Sequence, residues 1–226
     1  MAIVDGGSWS ERVAAATDRI APLPDGVSIT DAAALPTAGL TALRGLREGG
    51  SVLGERVLVT AATGGVGQFA IQLARAAGAH VTALVSRPDS VEEATAAGAH
   101  DVVTDLDDGP GGYRLALDGA GGNVLRLLLH HLAPRGVVAT YGAMAGPTTL
   151  SFGDLHAATN PRIVGLVHFE PPDRRGADLG VLAGLVGAGV VSPRLGLVDD
   201  WSRVREALDA MAEHRVRGKV VMTVGP

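Results

Sequence analysis

The sequence predicts an α/β protein built on a parallel sheet with helices on both faces. Apolar strand segments alternate with helical segments along most of the 226 residues. A glycine-rich turn separates the first buried strand, around Val57, from the helix that follows it. The composition is that of a globular chain, with 46% hydrophobic residues, and its 32 glycines favour tight turns.

The first segments are the least regular. WSERVAAATDRIAPLPDGVS predicts a short strand followed by an irregular stretch that Pro22 and Pro24 close. TDAAALPTAGLTALRGL is helical on both sides of Pro36. Because proline interrupts the helical hydrogen bonds, we expect a short helix and then a longer one.

The central segments alternate regularly. GERVLVTAA predicts a buried strand, GGVGQFAIQLARAAGA a helix that ends at Gly78, and HVTALVS the next strand. One face of that helix is apolar, with Val66, Phe69, Ala70, Leu73 and Ala77. DSVEEATAAGA predicts another helix, in which Ser90 and Glu93 have the spacing of a capping box and Gly98 is the C′ residue.

The second half continues the alternation. HDVVTDL and YRLALDGAG predict short strands joined by the tight loop DDGPGG, and Asp118 is expected to order the turn after the second strand. The remaining predicted elements are the helix NVLRLLLHHL, the strands RGVVATYGA and PRIVGLVHF, the helices GADLGVLAGLVGAG and WSRVREALDAMAEH, and the closing strand GKVVMTV.

Composition excludes several classes of function. The net charge of −5 without a basic run argues against nucleic-acid binding, and the absence of cysteine excludes disulfides and thiolate zinc sites. The adjacent His130 and His131 face different directions, so no metal site is predicted. The sequence shows no signal peptide, no apolar run of about 18 residues and no G-x-S-x-G elbow. We expect a cytoplasmic protein that acts on a small molecule and has no membrane or nucleic-acid partner.

The glycine turn is the main candidate binding feature. Its spacing approaches G-x-G-x-x-G through Gly64 and Gly67, with Ala62 where the first glycine would stand. A turn of this kind, between a strand and a helix, can place backbone N–H groups against a pyrophosphate. The alternative is a tight turn of the kind found in any α/β fold.

The strand after this helix ends in Ser86 and Arg87, where an acidic residue often holds the ribose of NAD. An arginine there accommodates the 2′-phosphate of NADP, since guanidinium pairs well with phosphate. The pair therefore suggests NADP(H), and the alternative is a solvated arginine at the end of a strand.

Several segments in order resemble the medium-chain dehydrogenase/reductase superfamily, in its zinc-independent quinone oxidoreductase and enoyl reductase branch. They are AALPTAGLTALRGL, GERVLVTAATGGVGQFAIQLARAAGAHVTALVSRP, GAHDVV, LDGAGG, LAPRGVVATYG and GKVVMTV. The resemblance implies a Rossmann-type doubly wound parallel sheet with a remnant of a GroES-like substrate domain. It implies the remnant over residues 1–26, the Rossmann domain over 27–195, and a C-terminal helix and strand over 196–226 that return to the remnant.

The resemblance also implies roles for individual residues. The pyrophosphate would face Gly64, Gly65, Val66 and Gly67, with Ala62 also at the cofactor, and the ribose phosphate would face Ser86 and Arg87. The nicotinamide end would be lined by Thr41, Tyr141 and Gly142. His156 and His168 would approach that end, and Tyr141 and His168 are the candidate proton donors. The alternative for His168 is a structural histidine at the end of a strand. Ile163–Phe169 would lie at a sheet edge and join two copies in a homodimer.

Two departures from the family qualify these expectations. Relatives carry most of the GroES-like domain before GGSWSERVAA, so one wall of the substrate cleft is expected to be largely missing. Asp105 stands about where many relatives have a tyrosine near the 2′-phosphate, and an acid there would oppose a phosphate. The predicted function is an NADP(H)-dependent reductase that passes hydride to a quinone or an activated C=C. The alternatives are a redox-silent cyclase, dehydratase or isomerase, or a nucleotide-binding partner subunit.

Overall fold

The computed structural model describes residues 1–4, 6–166, 174–213 and 215–225, and the chain forms two compact units. The sheet unit contains Thr41–Val167, and the split unit contains Met1–Leu40 together with His168–Pro226. The domain bounds that the resemblance implies stay a prediction.

The helices and strands follow the predicted alternation. The helices are α1 Ile29–Ala34, α2 Leu40–Glu48, α3 Gly65–Ala76, α4 Val91–Ala96, α5 Gly122–Leu128, α6 Phe152–Leu155, α7 Arg175–Gly187 and α8 Val204–Ala212. The strands are β1 Arg56–Val59, β2 His80–Leu84, β3 Asp101–Val103, β4 Tyr113–Asp118, β5 Leu132–Thr140, β6 Arg162–Gly165, β7 Leu195–Asp200 and β8 Lys219–Thr223.

The sheet unit is built on a parallel sheet of six strands in the order β3-β2-β1-β4-β5-β6. This is the strand order of a doubly wound, Rossmann-type fold, so the predicted α/β class is confirmed. The central strands are buried on both faces: Val57, Leu58 and Val59 of β1 are fully buried, and β4 and β5 contribute Leu115 and Val138 to the core. Such continuous burial explains why these strands read as uninterrupted apolar runs. β6 is the last strand in the order, at the sheet edge that the resemblance implied for Ile163–Phe169, and residues 167–169 of that segment lie outside the described residues.

Helix α3 follows β1 and ends as predicted, with Gly78 in the left-handed region at φ +82°. Its buried face includes Phe69, Ala70 and Leu73, but Ala77 is exposed, so the prediction for that residue was wrong. The helix ends at Ala76, and the periodic pattern therefore overran it by one residue.

Helix α4 shows a second correction. Ser90 stands at its N-cap, but the serine side chain makes no capping hydrogen bond, so the predicted capping box is wrong. The Glu93 carboxylate accepts a hydrogen bond from the side chain of Gln68 instead, at 2.7 Å. The predicted C′ residue, Gly98, is confirmed, with φ at +105° and its N–H bonded to the Thr95 carbonyl.

In the split unit, Pro36 divides the helical segment as predicted, but the break is a π-helical turn, Leu35–Gly39, that leads directly from α1 into α2. Gly39 allows close packing there, since a Cβ on it would lie 3.1 Å from Leu182 of α7.

The rest of the split unit differs more from the predictions. No strand forms over residues 9–13, where the sequence predicted one, and the described part of this segment instead has a bridge between Ala2 and Ile20. Trp9 contacts Trp201 edge to face, with ring centroids 5.3 Å apart. Strand β7 pairs in parallel with β8 and was not predicted. Its few apolar residues are interrupted by a glycine, so the sequence shows only a short alternating pattern.

Candidate functional site

The carboxyl edge of the six-stranded sheet carries the candidate site. All six strands are parallel, so their carboxyl ends lie at one edge, and the strand order reverses between β1 and β4. Thr60 follows β1 and Asp118 ends β4, and the Thr60 hydroxyl donates a hydrogen bond of 2.7 Å to the Asp118 carboxylate. Polar side chains therefore meet where doubly wound sheets open a crevice for ligands.

Asp118 organises this edge. It is fully buried, and its carboxylate accepts hydrogen bonds from the backbone N–H groups of Ala120 and Gly121, both at 3.2 Å, and from the Thr140 hydroxyl at 3.3 Å. A buried carboxylate is tolerated only when its oxygens are paired in this way. The prediction that Asp118 orders the turn after β4 is confirmed.

The glycine turn connects β1 to α3. Gly64 is the N-cap of α3 and supplies no side-chain cap, while its own N–H donates to the Ala61 carbonyl at 2.9 Å. The next three amides, of Gly65, Val66 and Gly67, belong to the first helical turn and have no acceptor within the helix. The turn thus presents N–H groups at the positive end of the helix dipole, which is the donor set that a phosphate requires.

Close packing requires glycine at the last position of the turn. A Cβ on Gly67 would lie 2.5 Å from the Ala61 carbonyl oxygen and 2.6 Å from that of Ala62. The residue in the left-handed region is Ala61, at φ +48°, whereas Ala62 is buried and has no positive φ. This explains why alanine is accepted at position 62, and it identifies Ala61 as a strained residue that the motif did not indicate.

Ser86 and Arg87 follow β2 and are exposed. The Arg87 side chain is 55% exposed, and its Nε lies 3.5 Å from a carboxylate oxygen of Asp89. Ser86 and Asp105 follow neighbouring strands, each two residues after the paired residues Leu84 and Val103. The Asp105 carboxylate accepts from the Asp107 N–H at 3.1 Å and caps a short 3₁₀ turn, so this acid has a structural task of its own.

Tyr141 and Gly142 follow β5 and close against the ends of β1 and β4. The Tyr141 N–H donates to the Asp118 carbonyl at 2.9 Å, and its hydroxyl donates to the Thr60 carbonyl at 3.4 Å. Burial raises the pKa of the Tyr141 phenol well above its ordinary value, and the nearby Asp118 carboxylate raises it further. A Cβ on Gly142 would lie 2.6 Å from the Gly119 carbonyl oxygen, so the backbones approach closely here.

The other predicted residues are Thr41, His156 and His168. Thr41 is buried at the second position of α2. His156 does not approach the carboxyl edge. It directly follows α6, and the Asp154 carboxylate of α6 lies 2.8 Å from the His130 ring. His130 stands two residues before β5, at the amino end of that strand. That part of the prediction was wrong, because the chain after Gly142 returns along the sheet before it forms α6. His168 lies outside the described residues.

The part of the chain that the structure describes has neither a metal-binding cluster nor a membrane-spanning helix. Within residues 1–4, 6–166, 174–213 and 215–225, no group of three or more histidine, aspartate or glutamate side chains is arranged to hold a metal ion. In the same residues, no helix has the length and apolar character needed to cross a membrane.

Comparison with known proteins identifies relatives of the chain. The profile of a family described as zinc-binding dehydrogenase matches residues 65–178, half of the chain. A quinone oxidoreductase of Pseudomonas aeruginosa is 29% identical over 96% of this chain and 71% of its own length. The mitochondrial NAD(P)H oxidoreductase RTN4IP1 of Bos taurus is 31% identical over 96% of this chain. This chain spans 61% of the bovine protein.

The solved structures agree with the sequence relatives. A probable oxidoreductase from Mycobacterium abscessus superposes with a TM-score of 0.82 at 28% identity, over all of this chain and 72% of the other. The strand order, the glycine turn at the switch point and the family match all point to one origin. The chain belongs to the zinc-binding dehydrogenase family of the medium-chain dehydrogenase/reductase superfamily, on its quinone oxidoreductase branch.

Proposed function

We propose that the chain is an NADP(H)-dependent reductase that transfers hydride to a quinone or to an activated C=C. The observation that carries the proposal is the uncapped first turn of α3, which stands at the switch point of the sheet beside the exposed Arg87 strand end. The names of the Pseudomonas and bovine relatives, a quinone oxidoreductase and an NAD(P)H oxidoreductase, support the reaction class.

The residues of the turn fit a dinucleotide. The N–H groups of Gly65, Val66 and Gly67 would hold the pyrophosphate, and the missing side chain of Gly64 leaves room for it to approach. Ser86 and Arg87 would hold the ribose 2′-phosphate, because the half-exposed guanidinium can exchange its long contact with Asp89 for a phosphate. The bound nicotinamide would supply the hydride.

At the other end of the site, Tyr141 is the proposed neighbour of the nicotinamide, with Thr41 and Gly142 as the family resemblance implies. The phenol is protonated at neutral pH, as an ordinary tyrosine is, and burial raises its pKa further, so its hydroxyl acts as a hydrogen-bond donor. In the structure that donor is directed to the Thr60 carbonyl, and it must turn from this oxygen before it can donate to a substrate. The proton-donor roles of Tyr141 and His168 remain part of the proposal.

We further propose that the reaction uses no zinc, although the family description names the metal. Thiolate ligands are absent, since the sequence has no cysteine, and no three histidines or acids of the described residues are arranged to hold a metal ion. Elemental analysis of the purified chain is expected to show well below one zinc per chain. A stoichiometric, tightly held zinc would contradict this part of the proposal.

The proposal is tested by following nucleotide absorbance while the chain is mixed with NADPH or NADH and a panel of small quinones and enones. We expect NADPH to be oxidised and calorimetry to show tighter binding of NADPH than of NADH. Absence of binding to either nucleotide would make the glycine turn purely structural and refute the proposal. Binding without hydride transfer to any acceptor would refute the redox step and favour a redox-silent relative.

A further inference from the structure

A buried polar pair joins α3 to α4. Gln68 is 4% exposed and Glu93 is 7% exposed. The Gln68 Nε2 donates a hydrogen bond of 2.7 Å to the Glu93 carboxylate. The two residues are 25 positions apart in the sequence and lie in the first turns of their helices.

Such a pair is an expensive way to join two helices. A buried carboxylate loses its hydration, and apolar side chains of similar size would pack in its place without that cost. The hydrogen bond does supply direction, since it has a defined length and angle that apolar contact lacks. The pair therefore fixes a geometry between the two helices rather than simply filling space.

The hydrogen bond connects the two segments that would contact the nucleotide, the glycine turn and the chain at Arg87. On the α3 side, the backbone N–H of Gln68 donates to the Gly64 carbonyl at 3.1 Å and closes the glycine turn. On the α4 side, the Ser90 N–H donates to the Arg87 carbonyl at 3.1 Å, so the chain between Arg87 and α4 is a single compact turn. The Gln68–Glu93 bond links these two hydrogen-bonded turns.

We propose that Gln68 and Glu93 are positioning residues, and that their hydrogen bond sets the spacing between the glycine turn and Arg87. This inference rests on the proposed function. Through that spacing the pair determines how strongly the site favours a nucleotide with a 2′-phosphate. Neither residue touches the ligand in this account, and both act through Arg87, whose guanidinium must meet the 2′-phosphate while the pyrophosphate rests on α3.

The test uses Gln68→Met, which keeps the length of the side chain and removes the donor. Calorimetry measures the Kd of four ligands, NADPH and 2′,5′-ADP with the phosphate and NADH and 5′-ADP without it. We expect the variant to weaken the two 2′-phosphorylated ligands fivefold or more and to change the other two less than twofold.

Two further variants separate the causes. Gln72→Met makes the same substitution one turn along α3, where the Gln72 side chain donates to the Gln68 carbonyl, and it should leave all four Kd values within twofold. Glu93→Gln removes the negative charge but keeps an acceptor for Gln68, and it should preserve the preference for the 2′-phosphate within twofold. Should Gln68→Met fail to fold, Glu93→Met removes the same bond from the other side.

The outcomes discriminate between the claims. Equal losses for all four ligands in Gln68→Met would show a merely structural pair and overturn the inference, as would no loss at all. A strong change of preference in Glu93→Gln would make charge, not spacing, the determinant and also overturn it. A wild-type chain that binds none of the four ligands would refute the proposed function itself.

Discussion

Replacing Gly67 by alanine tests the packing of the glycine turn most directly. The new Cβ would lie 2.5 Å from the Ala61 oxygen, about 0.9 Å closer than an ordinary van der Waals contact of 3.4 Å. Its three nearest atoms belong to the backbone of Ala61 and Ala62, which cannot rotate away as a side chain would. Helix α3 must therefore move outward along its first turn.

The energetic cost follows from two opposing effects. Overpacking of this kind costs up to about 3 kcal/mol, and the better helix propensity of alanine returns about 1 kcal/mol. We expect a net loss of about 2 kcal/mol in the free energy of unfolding, or a Tm lowered by roughly 4–8 °C for a chain of this size. Urea unfolding followed by circular dichroism measures the difference.

Two matched substitutions control for the change of residue type. In Gly64→Ala the new Cβ would meet only the Ala61 oxygen, at 3.1 Å, and the φ of −72° at Gly64 is allowed for alanine. The free energy of unfolding of this variant should therefore change by less than about 0.5 kcal/mol. Gly184→Ala, in α7, meets nothing within 4 Å and should stabilise the chain by about 0.5–1 kcal/mol. If Gly67→Ala were as stable as Gly64→Ala, the reasoning from close approach would be refuted.

Three further predictions concern binding, assembly and pH. Arg87→Ala should weaken NADPH by about 1–3 kcal/mol and leave NADH nearly unchanged by calorimetry, and equal losses would remove Arg87 from the site. Light scattering should show a homodimer that Ile163→Asp, on the exposed edge strand β6, converts to a monomer, while Ile29→Asp in α1 does not. Because the pKa of Tyr141 is raised on folding, the folded state holds its proton above pH 10 and stability falls as pH rises through that range. Tyr141→Phe should flatten this fall in urea unfolding at pH 9 to 11, and an unchanged slope would contradict the burial of the phenol.

The fold could be predicted from the sequence where one signal dominates. Strands such as Arg56–Val59 lie in the middle of a parallel sheet, so their apolar runs identify them without knowledge of their neighbours. The ends of α3 and α4 were also predictable, because Gly78 and Gly98 adopt conformations that other residues avoid. β7 was missed, since its pattern depends on pairing with β8 rather than on local sequence.

Within the candidate site, local motifs predicted the glycine turn and the turn held by Asp118. The motifs failed where a side chain had two possible hydrogen-bond partners. Glu93 has the spacing of a capping box with Ser90, but its carboxylate accepts a hydrogen bond from Gln68, which is 25 positions away in the sequence. His156 was misplaced because the path of the chain after β5, and not the residue type, decides which edge of the sheet it reaches.

The uncapped start of α3 has a consequence for the lifetime of the chain. A serine, threonine or aspartate at the N-cap satisfies one of the first amides of a helix, but Gly64 has no side chain that could do so for α3. On the proposed function, the nucleotide itself completes the helix, and at a hundredfold excess over its Kd it adds about 2.7 kcal/mol to the folded state. Resistance to heat and to proteases would then rise and fall with the supply of the nucleotide, so that the abundance of the protein reports the redox cofactor pool around it.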